Sequence, residues 1–301
     1  MKVLVSGSTG FVGSAVIGHL KSIGSYGVVR LVRNTRGSED REIAWNPSRG
    51  ELDRLGLEGI TGVVHLAGEN IAGRWNDDKK TRIRESRVKG TRLLSESLAA
   101  MEHPPRVMVS VSAIGYYGAD RGSEHLDEDS ASGEGFLADV CQEWEAATEP
   151  ARARGIRVVN LRVGLVVDAN GGALKMMLPP FRLGAGGVVG SGEQYISWIA
   201  LEDLLRVIMH CLETESLSGP VNAVTPNPLT NHTFTKTLGA ALGRPTFIPV
   251  PAAAMRLLFG QMADETLLSS TRVLPKRLEA AHFEWKAPTL ETALRRTLNS
   301  P

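Results

Sequence analysis

Cysteine is almost missing from this chain. Cys141 and Cys211 are the two thiols in 301 residues, and no Cys-x-x-Cys occurs, which excludes a disulfide framework and a thiolate zinc site. Both are expected as reduced, buried thiols of a cytoplasmic protein, and no metal is expected. A dominant charge is missing as well: 34 basic residues face 33 acidic ones, for a net charge of +1. With no global field to recruit nucleic acid or an anionic membrane surface, the expected partner is a small molecule. Long apolar runs are absent, none approaching the ~18 residues that a membrane span requires. The first strand is expected to begin at residue 2, and no basic-plus-apolar leader is expected. Repeats and low-complexity tracts are absent too. The length allows one large or two modest domains with ample core.

What is present starts with Lys2-Val3-Leu4-Val5-Ser6, an apolar strand that runs into Gly7-Ser8-Thr9-Gly10-Phe11-Val12-Gly13. After Gly13 the period changes: Val12, Val16, Leu20 and Ile23 fall four, four and three residues apart, the stripe of a helix packed on a sheet. Strand, glycine turn and helix together let the backbone approach a pyrophosphate at the helix's positive end. Position gives the glycines this meaning, since a chain with 32 glycines offers many chance spacings.

The next strand, near Val28 to Arg33, ends in Arg33-Asn34, with Arg30 and Arg36 to either side and no acid before Glu39. NAD sites commonly place an acid here, whereas an arginine accommodates a 2′-phosphate, so NADP is favoured. A polar stretch through Trp45, Pro47 and Gly50 leads to the strand Gly62 to Leu66, whose carboxyl end carries Ala67-Gly68-Glu69-Asn70. His65, inside that strand, is expected as a satisfied core residue. From Asp77 to Ala100 runs a helix with seven basic residues, most of them a solvated face. Arg87 falls on the apolar stripe with Ile83, Gly90, Leu94 and Leu98, and an inward arginine needs an anion or carbonyls. A cofactor phosphate and an internal carboxylate both remain open as its partner. The strand Arg106 to Ser112 leads into Ala113-Ile114-Gly115-Tyr116-Tyr117-Gly118. An acidic loop, a helix near Gly135 to Arg154 and the strand Ile156 to Gly164 follow. This alternation predicts an α/β fold, a Rossmann-type doubly wound parallel sheet. Beyond Asp168, Pro179-Pro180, the glycine loop from Gly184 to Gly192 and the Pro-rich stretch from Pro220 to Pro251 break the alternation and predict a smaller C-terminal, substrate-side lobe. Residues 1–167 form the expected cofactor domain, with 200–224 returning to it, and residues 168–199 and 225–301 form the lobe.

The glycine turn, His65-Leu66-Ala67-Gly68, Ser112 through Gly118 and Leu161-Arg162-Val163-Gly164 resemble the extended short-chain dehydrogenase/reductase superfamily. Ala67 to Ile71, Arg74-Trp75, Ser86-Arg87, Trp144-Glu145, Ser197-Trp198-Ile199 and Pro249 to Pro275 are similar to its epimerase family protein subgroup. The resemblance implies NADP(H) at Gly7, Ser8, Thr9, Gly10, Phe11, Val12 and Gly13, lined by Arg33, Asn34, Leu66, Ala67, Gly68, Glu69, Arg87, Ser112, Arg162 and Val163. Ala200 departs from it, standing where the subgroup carries a histidine. So does the chemistry. Active members use a Tyr-x-x-x-Lys pair, the lysine lowering the tyrosine pKa. None of the four tyrosines has a lysine four residues later, and the helix that would carry the pair reads Phe136-Leu137-Ala138-Asp139-Val140. Two function classes follow. One is an NADP-dependent oxidoreductase or nucleotide-sugar epimerase acting on a sugar nucleotide or carbonyl compound, with Ser112 and Tyr117 as candidate proton-moving groups. The other is an NADP(H)-binding sensor or regulator without turnover.

Overall fold

The computed structural model describes residues 1–35, 37 and 40–298; Arg36 and Glu39, invoked above beside Arg33, lie outside the described residues. The strands are β1 (Lys2–Ser6), β2 (Gly27–Val32), β3 (Arg41–Asn46), β4 (Glu51–Leu52), β5 (Gly62–His65), β6 (Val107–Ala113), β7 (Asp120–Leu126), β8 (Arg157–Val163), β9 (Leu165–Val167), β10 (Tyr195–Ile196), β11 (Trp198–Ala200), β12 (Gly219–Ala223), β13 (Leu229–Thr230) and β14 (Ser270–Val273). The helices are α1 (Phe11–Ile23), α2 (Asp77–Ala99), α3 (Phe136–Ala146), α4 (Glu149–Ala153), α5 (Gly172–Arg182), α6 (Leu201–Glu213), α7 (Asn231–Leu242), α8 (Ala252–Phe259), α9 (Lys276–Ala280) and α10 (Leu290–Leu298).

Eight strands form one sheet in the order β12-β8-β6-β5-β1-β2-β3-β4, parallel except for the edge hairpin β3–β4. Its centre is apolar on both faces, as a sheet covered by helices on both sides requires. Val3 and Val5 of β1 pack with Val16 and Leu20 of α1 and with Val207 and Ile208 of α6. Leu4, one residue out of phase, points to the opposite face with Leu94 and Leu98 of α2 and Ala151 of α4. From β1 the chain moves outward to β4, then returns to β5 on the other side of β1. The carboxyl ends of β1 and β5 therefore flank the point where strand order reverses, the place at which such sheets bind ligands.

Three elements differ from the sequence expectation. The expected polar stretch holds β3, where Ile43 and Trp45 alternate inward. The expected acidic loop holds β7, which pairs with β14 in parallel. The helix expected to Arg154 breaks into α3 and α4, with Pro150 in the first turn of the second, where its missing N–H costs nothing. Among the C-terminal elements, β12 is hydrogen-bonded along β8, while α5, α7, α10, β9 and β11 enclose a separate core around Trp198 and Phe234, both fully buried. Pro179 and Pro180 fall inside α5. No described helix is long and apolar enough to cross a membrane.

Candidate functional site

The turn after β1 is built by close approach. Gly7 has φ +65°, and a Cβ there would meet the Leu66 carbonyl carbon and oxygen at 2.7 Å. A Cβ on Gly13 would lie 2.1 Å from the Gly7 oxygen. The Gly10 amide donates to that same oxygen at 2.9 Å. Gly10 caps α1 without a side-chain hydrogen bond, so the first-turn amides keep their positive end free for an anion.

The floor is set by a buried polar chain. Ser6 Oγ accepts from the Leu66 and Ala67 amides at 3.0 and 3.2 Å, which uses both its lone pairs. Its proton therefore goes to His65 Nδ1, 2.7 Å away, leaving Nε2–H to donate to Thr91 Oγ1 at 2.9 Å. Trp144 Nε1 donates to the same Thr91 oxygen at 2.8 Å. Full burial lowers the His65 pKa to about 4, so the ring is a neutral core histidine that ties β1, β5, α2 and α3 together.

Above this floor lies a cavity of about 1150 Å³. Gly7, Ser8, Thr9 and Gly10 form one wall, Arg33 and Asn34 after β2 another, and Leu66, Ala67, Gly68 and Glu69 after β5 a third. Sequence reasoning missed Glu42, Asn46, Pro47 and Ser48 of β3 and its hairpin, and Arg82, Glu85, Ser86 and Lys89 of α2. The inward alternation of Ile43 and Trp45 is the signal that marks β3; nothing in the pattern of α2 separates its cavity-rim cations from its solvated ones. Arg30 also lines the cavity and is partly engaged, 3.4 Å from Ser8 Oγ and 3.8 Å from Glu42 Oε1. Glu69 is held below its ordinary pKa by the Lys79 ammonium, 3.1 Å away.

Other expected site residues stand elsewhere. Phe11 packs against Gly171, where a Cβ would be 2.0 Å from its ring, and Gly13 supports the turn from behind. Val12 and Val163 pack against the core. Arg87 is directed inward, but Nη1 donates to the Glu69 and Ile83 carbonyls at 3.1 Å and the guanidinium lies 5.0 Å from the Trp144 ring. Backbone carbonyls are its hydrogen-bond partners, and burial lowers its pKa against the opposing pull of the Glu69 carboxylate.

Ser112, Tyr117 and Arg162 belong to one buried network. Arg162, 3% exposed, donates through Nε and Nη2 to the two Glu145 oxygens at 2.8 and 2.9 Å. Burial works against its charge, yet the Glu145 carboxylate holds its pKa above the ordinary value. Ser112 Oγ donates to Glu145 Oε1 at 2.9 Å. Tyr117 is fully buried; its hydroxyl lies 2.8 Å from both the Asp127 carbonyl oxygen and Asn222 Oδ1 and accepts from Arg162 Nη1 at 3.0 Å. Burial pushes its pKa up to about 12. Enclosed and fully bonded in this way, Ser112 and Tyr117 help hold β6, β8, β12 and α3 together. Tyr116 is half-buried, its ring centroid 3.4 Å from the Arg162 guanidinium. Phe136 opens α3 against Trp75, ring centroids 5.3 Å apart, and Val140 is buried. No group of three or more His, Cys, Asp or Glu side chains is placed to hold a metal among the described residues.

A crevice at the switch point of a doubly wound parallel sheet defines the Rossmann class of α/β proteins. The chain belongs to the NAD dependent epimerase/dehydratase family, whose model matches residues 3–223; a second model, a domain of unknown function called DUF1731, matches residues 250–297. It is 41% identical over 293 residues to the epimerase family protein Mb2239 of Mycobacterium bovis, covering 97% of this chain and 96% of that one. The human epimerase family protein SDR39U1, solved with NADPH, superposes with a TM-score of 0.91 at 35% identity over the full length of both chains. A nucleoside-diphosphate sugar epimerase from Corynebacterium glutamicum gives a TM-score of 0.81 at 36% identity, covering 99% of this chain and 58% of that chain.

Proposed function

We propose that this protein binds NADP(H) in the cavity between β1, β2 and β5 and acts as an NADP(H)-dependent oxidoreductase or epimerase on a small carbonyl compound or sugar nucleotide. The observation that carries the cofactor reading is the turn itself. Side chains are sterically barred from Gly7 and Gly13 beside an uncapped helix end, and the ~300–1,000 Å³ typical of small-molecule pockets is available in front of it. Amides of Ser8, Thr9 and the start of α1 bind the pyrophosphate, and Arg33 takes the 2′-phosphate. Residues 1–167 with 200–224 serve as the cofactor half, and residues 168–199 and 225–301 as the substrate side. The bound nicotinamide supplies hydride acceptance and donation. Tyr116, stacked on Arg162, is the phenol at a main-sheet strand end left to present a proton.

A second reading, an NADP(H)-binding sensor without turnover, is favoured by Phe136 and Val140 in place of the Tyr-Lys pair and by the enclosure of Ser112 and Tyr117. Titration with NADPH and NADH, followed by nicotinamide fluorescence, tests the cofactor; equal affinity or a preference for NADH removes the role given to Arg33. A screen of carbonyl compounds and sugar nucleotides, read by NADPH absorbance and solvent deuterium incorporation, separates the two readings. Tight binding with a silent screen favours the sensor.

A further inference from the structure

Residues 251–268 leave the C-terminal lobe and cross onto the cofactor half between two fixed points. At one end Val250 donates to the Val188 carbonyl at 2.8 Å and accepts from the Gly190 amide at 2.9 Å; at the other, the Ser270 amide donates to the Ala119 carbonyl at 2.7 Å. Between them, α8 contributes no buried residue, and Leu257 and Leu258 are 75% and 60% exposed. Gly260, at φ +60°, ends α8, and a π-helical turn over Ala263–Leu267 follows. Such turns favour functional sites.

Contacts with the cofactor half are few and specific. Arg74 Nη1 donates to the Leu257 carbonyl at 2.8 Å. The Glu265 carboxylate accepts from the Leu137 amide at 2.7 Å and the Phe136 amide at 3.3 Å, and Gln261 Nε2 braces it at 2.6 Å. Gly135, the residue before α3, gives that helix no side-chain cap of its own, so its first-turn amides take their partner from more than 120 residues away. Phe259 and Met262 pack with Ile71, Trp75, Ile83 and Phe136. That cluster adjoins the cavity, since Arg82 and Ser86 line it one residue before and three residues after Ile83.

We propose that residues 251–268 form a strap that opens and closes as one unit over the cluster of Ile71, Trp75, Ile83 and Phe136 beside the cavity, with Glu265 as its latch on the first turn of α3. A carboxylate on two backbone amides is a strong bond locally, yet it is made by a segment with little burial behind it, the setting in which sub-global opening occurs below the cost of unfolding. The proposal does not depend on which dinucleotide the cavity takes.

The test is amide hydrogen exchange of the full chain with Glu265→Ala, Glu265→Gln and Arg74→Ala. In the unsubstituted protein, amides of residues 252–267 should share one protection factor. Glu265→Ala should speed their exchange, together with Phe136 and Leu137, roughly tenfold, leaving β1 and β5 unchanged. Arg74→Ala should move the same strap amides, and Glu265→Gln, which keeps the shape and loses the charge, should give an intermediate effect. Trypsin cleavage after Arg256, exposed on α8, should accelerate in the same order. A response confined to Phe136 and Leu137 means a plain helix cap and overturns the proposal. So do unequal protection factors along the strap, or unchanged cleavage at Arg256 in all three variants.

Discussion

Helix α1 carries two glycines whose substitution by alanine should push stability in opposite directions. At Gly18 a Cβ meets nothing within 4 Å, so Gly18→Ala gains the full helix-propensity difference of about 1 kcal/mol. At Gly13 the Cβ would stand 2.1 Å from the Gly7 oxygen and 2.8 Å from the Gly7 carbon, both backbone atoms with no rotamer to relieve the overlap. Restoring an ordinary contact takes a retreat of the turn by about 1 Å, at the upper end of the ~1–3 kcal/mol that overpacking costs. Setting the same propensity gain against about 3 kcal/mol leaves Gly13→Ala destabilised by roughly 2 kcal/mol. An unfolding entropy of ~2.1 cal/mol/K per residue makes 1 kcal/mol worth about 1.6 °C in a chain of this length. Thermal unfolding should therefore place Gly13→Ala about 3 °C below the parent and Gly18→Ala about 1.5 °C above it. NADPH affinity should drop at least tenfold in Gly13→Ala, on the order expected when a positioning element moves by about 1 Å, and stay constant in Gly18→Ala. Coincident melting curves, or an undiminished NADPH affinity in Gly13→Ala, would refute the reasoning.

Arg33→Ala should weaken NADPH binding by roughly 10- to 100-fold, the worth of a hydrogen bond to a charged group, and leave NADH unchanged; equal losses for both would show that Arg33 does not read the 2′-phosphate. Arg162→Met strands the partly buried Glu145 carboxylate and should cost about 3 kcal/mol in urea unfolding, so a loss under about 1 kcal/mol would contradict the network. Tyr117→Phe should lower stability by about 1–3 kcal/mol while NADPH affinity holds, whereas Tyr116→Phe should abolish any turnover the substrate screen detects. Because His65 is neutral in the fold with its pKa lowered from 6.5 to about 4, the unfolded chain binds the extra proton between those values. Its contribution is complete above pH 6.5, falls as pH drops toward 4, and amounts to roughly 3 kcal/mol. Urea midpoints across that window should fall more steeply for the parent than for His65→Gln, and parallel profiles would exclude the assignment.

The parts of the fold legible in the sequence are those whose burial is uniform. The strands β1 and β5 are continuous apolar runs, and α1 shows a clean stripe, so their type and place follow from local pattern. The strand β7, reading Asp-Arg-Gly-Ser-Glu-His-Leu, is mostly exposed and is a strand only because β14 lies beside it; no local signal encodes that. At the site, that Gly7, Gly10 and Arg33 line one cavity was legible because the strand ends that carry them follow from adjacent residues. The inward direction of Arg87 was readable from helical phase, but its carbonyl partners depend on how the chain bends after β5. Tyr117 sits at a strand end with other hydroxyls, yet its environment is decided by Asn222, 105 positions away.

Every wall of the cavity comes from residues 7–89, and this gives the molecule an order of assembly. Pairing β1 with β2 joins Lys2 to Gly27, while pairing β7 with β14 joins Asp120 to Ser270. Loop-closure entropy makes the second pairing costlier by about 1.6 kcal/mol before any contact offsets it. The cavity belongs to the short-range half of the contact map and the strap to its long-range half. Refolding should therefore form the cavity first and dock the C-terminal segment beside it, onto α3, afterwards.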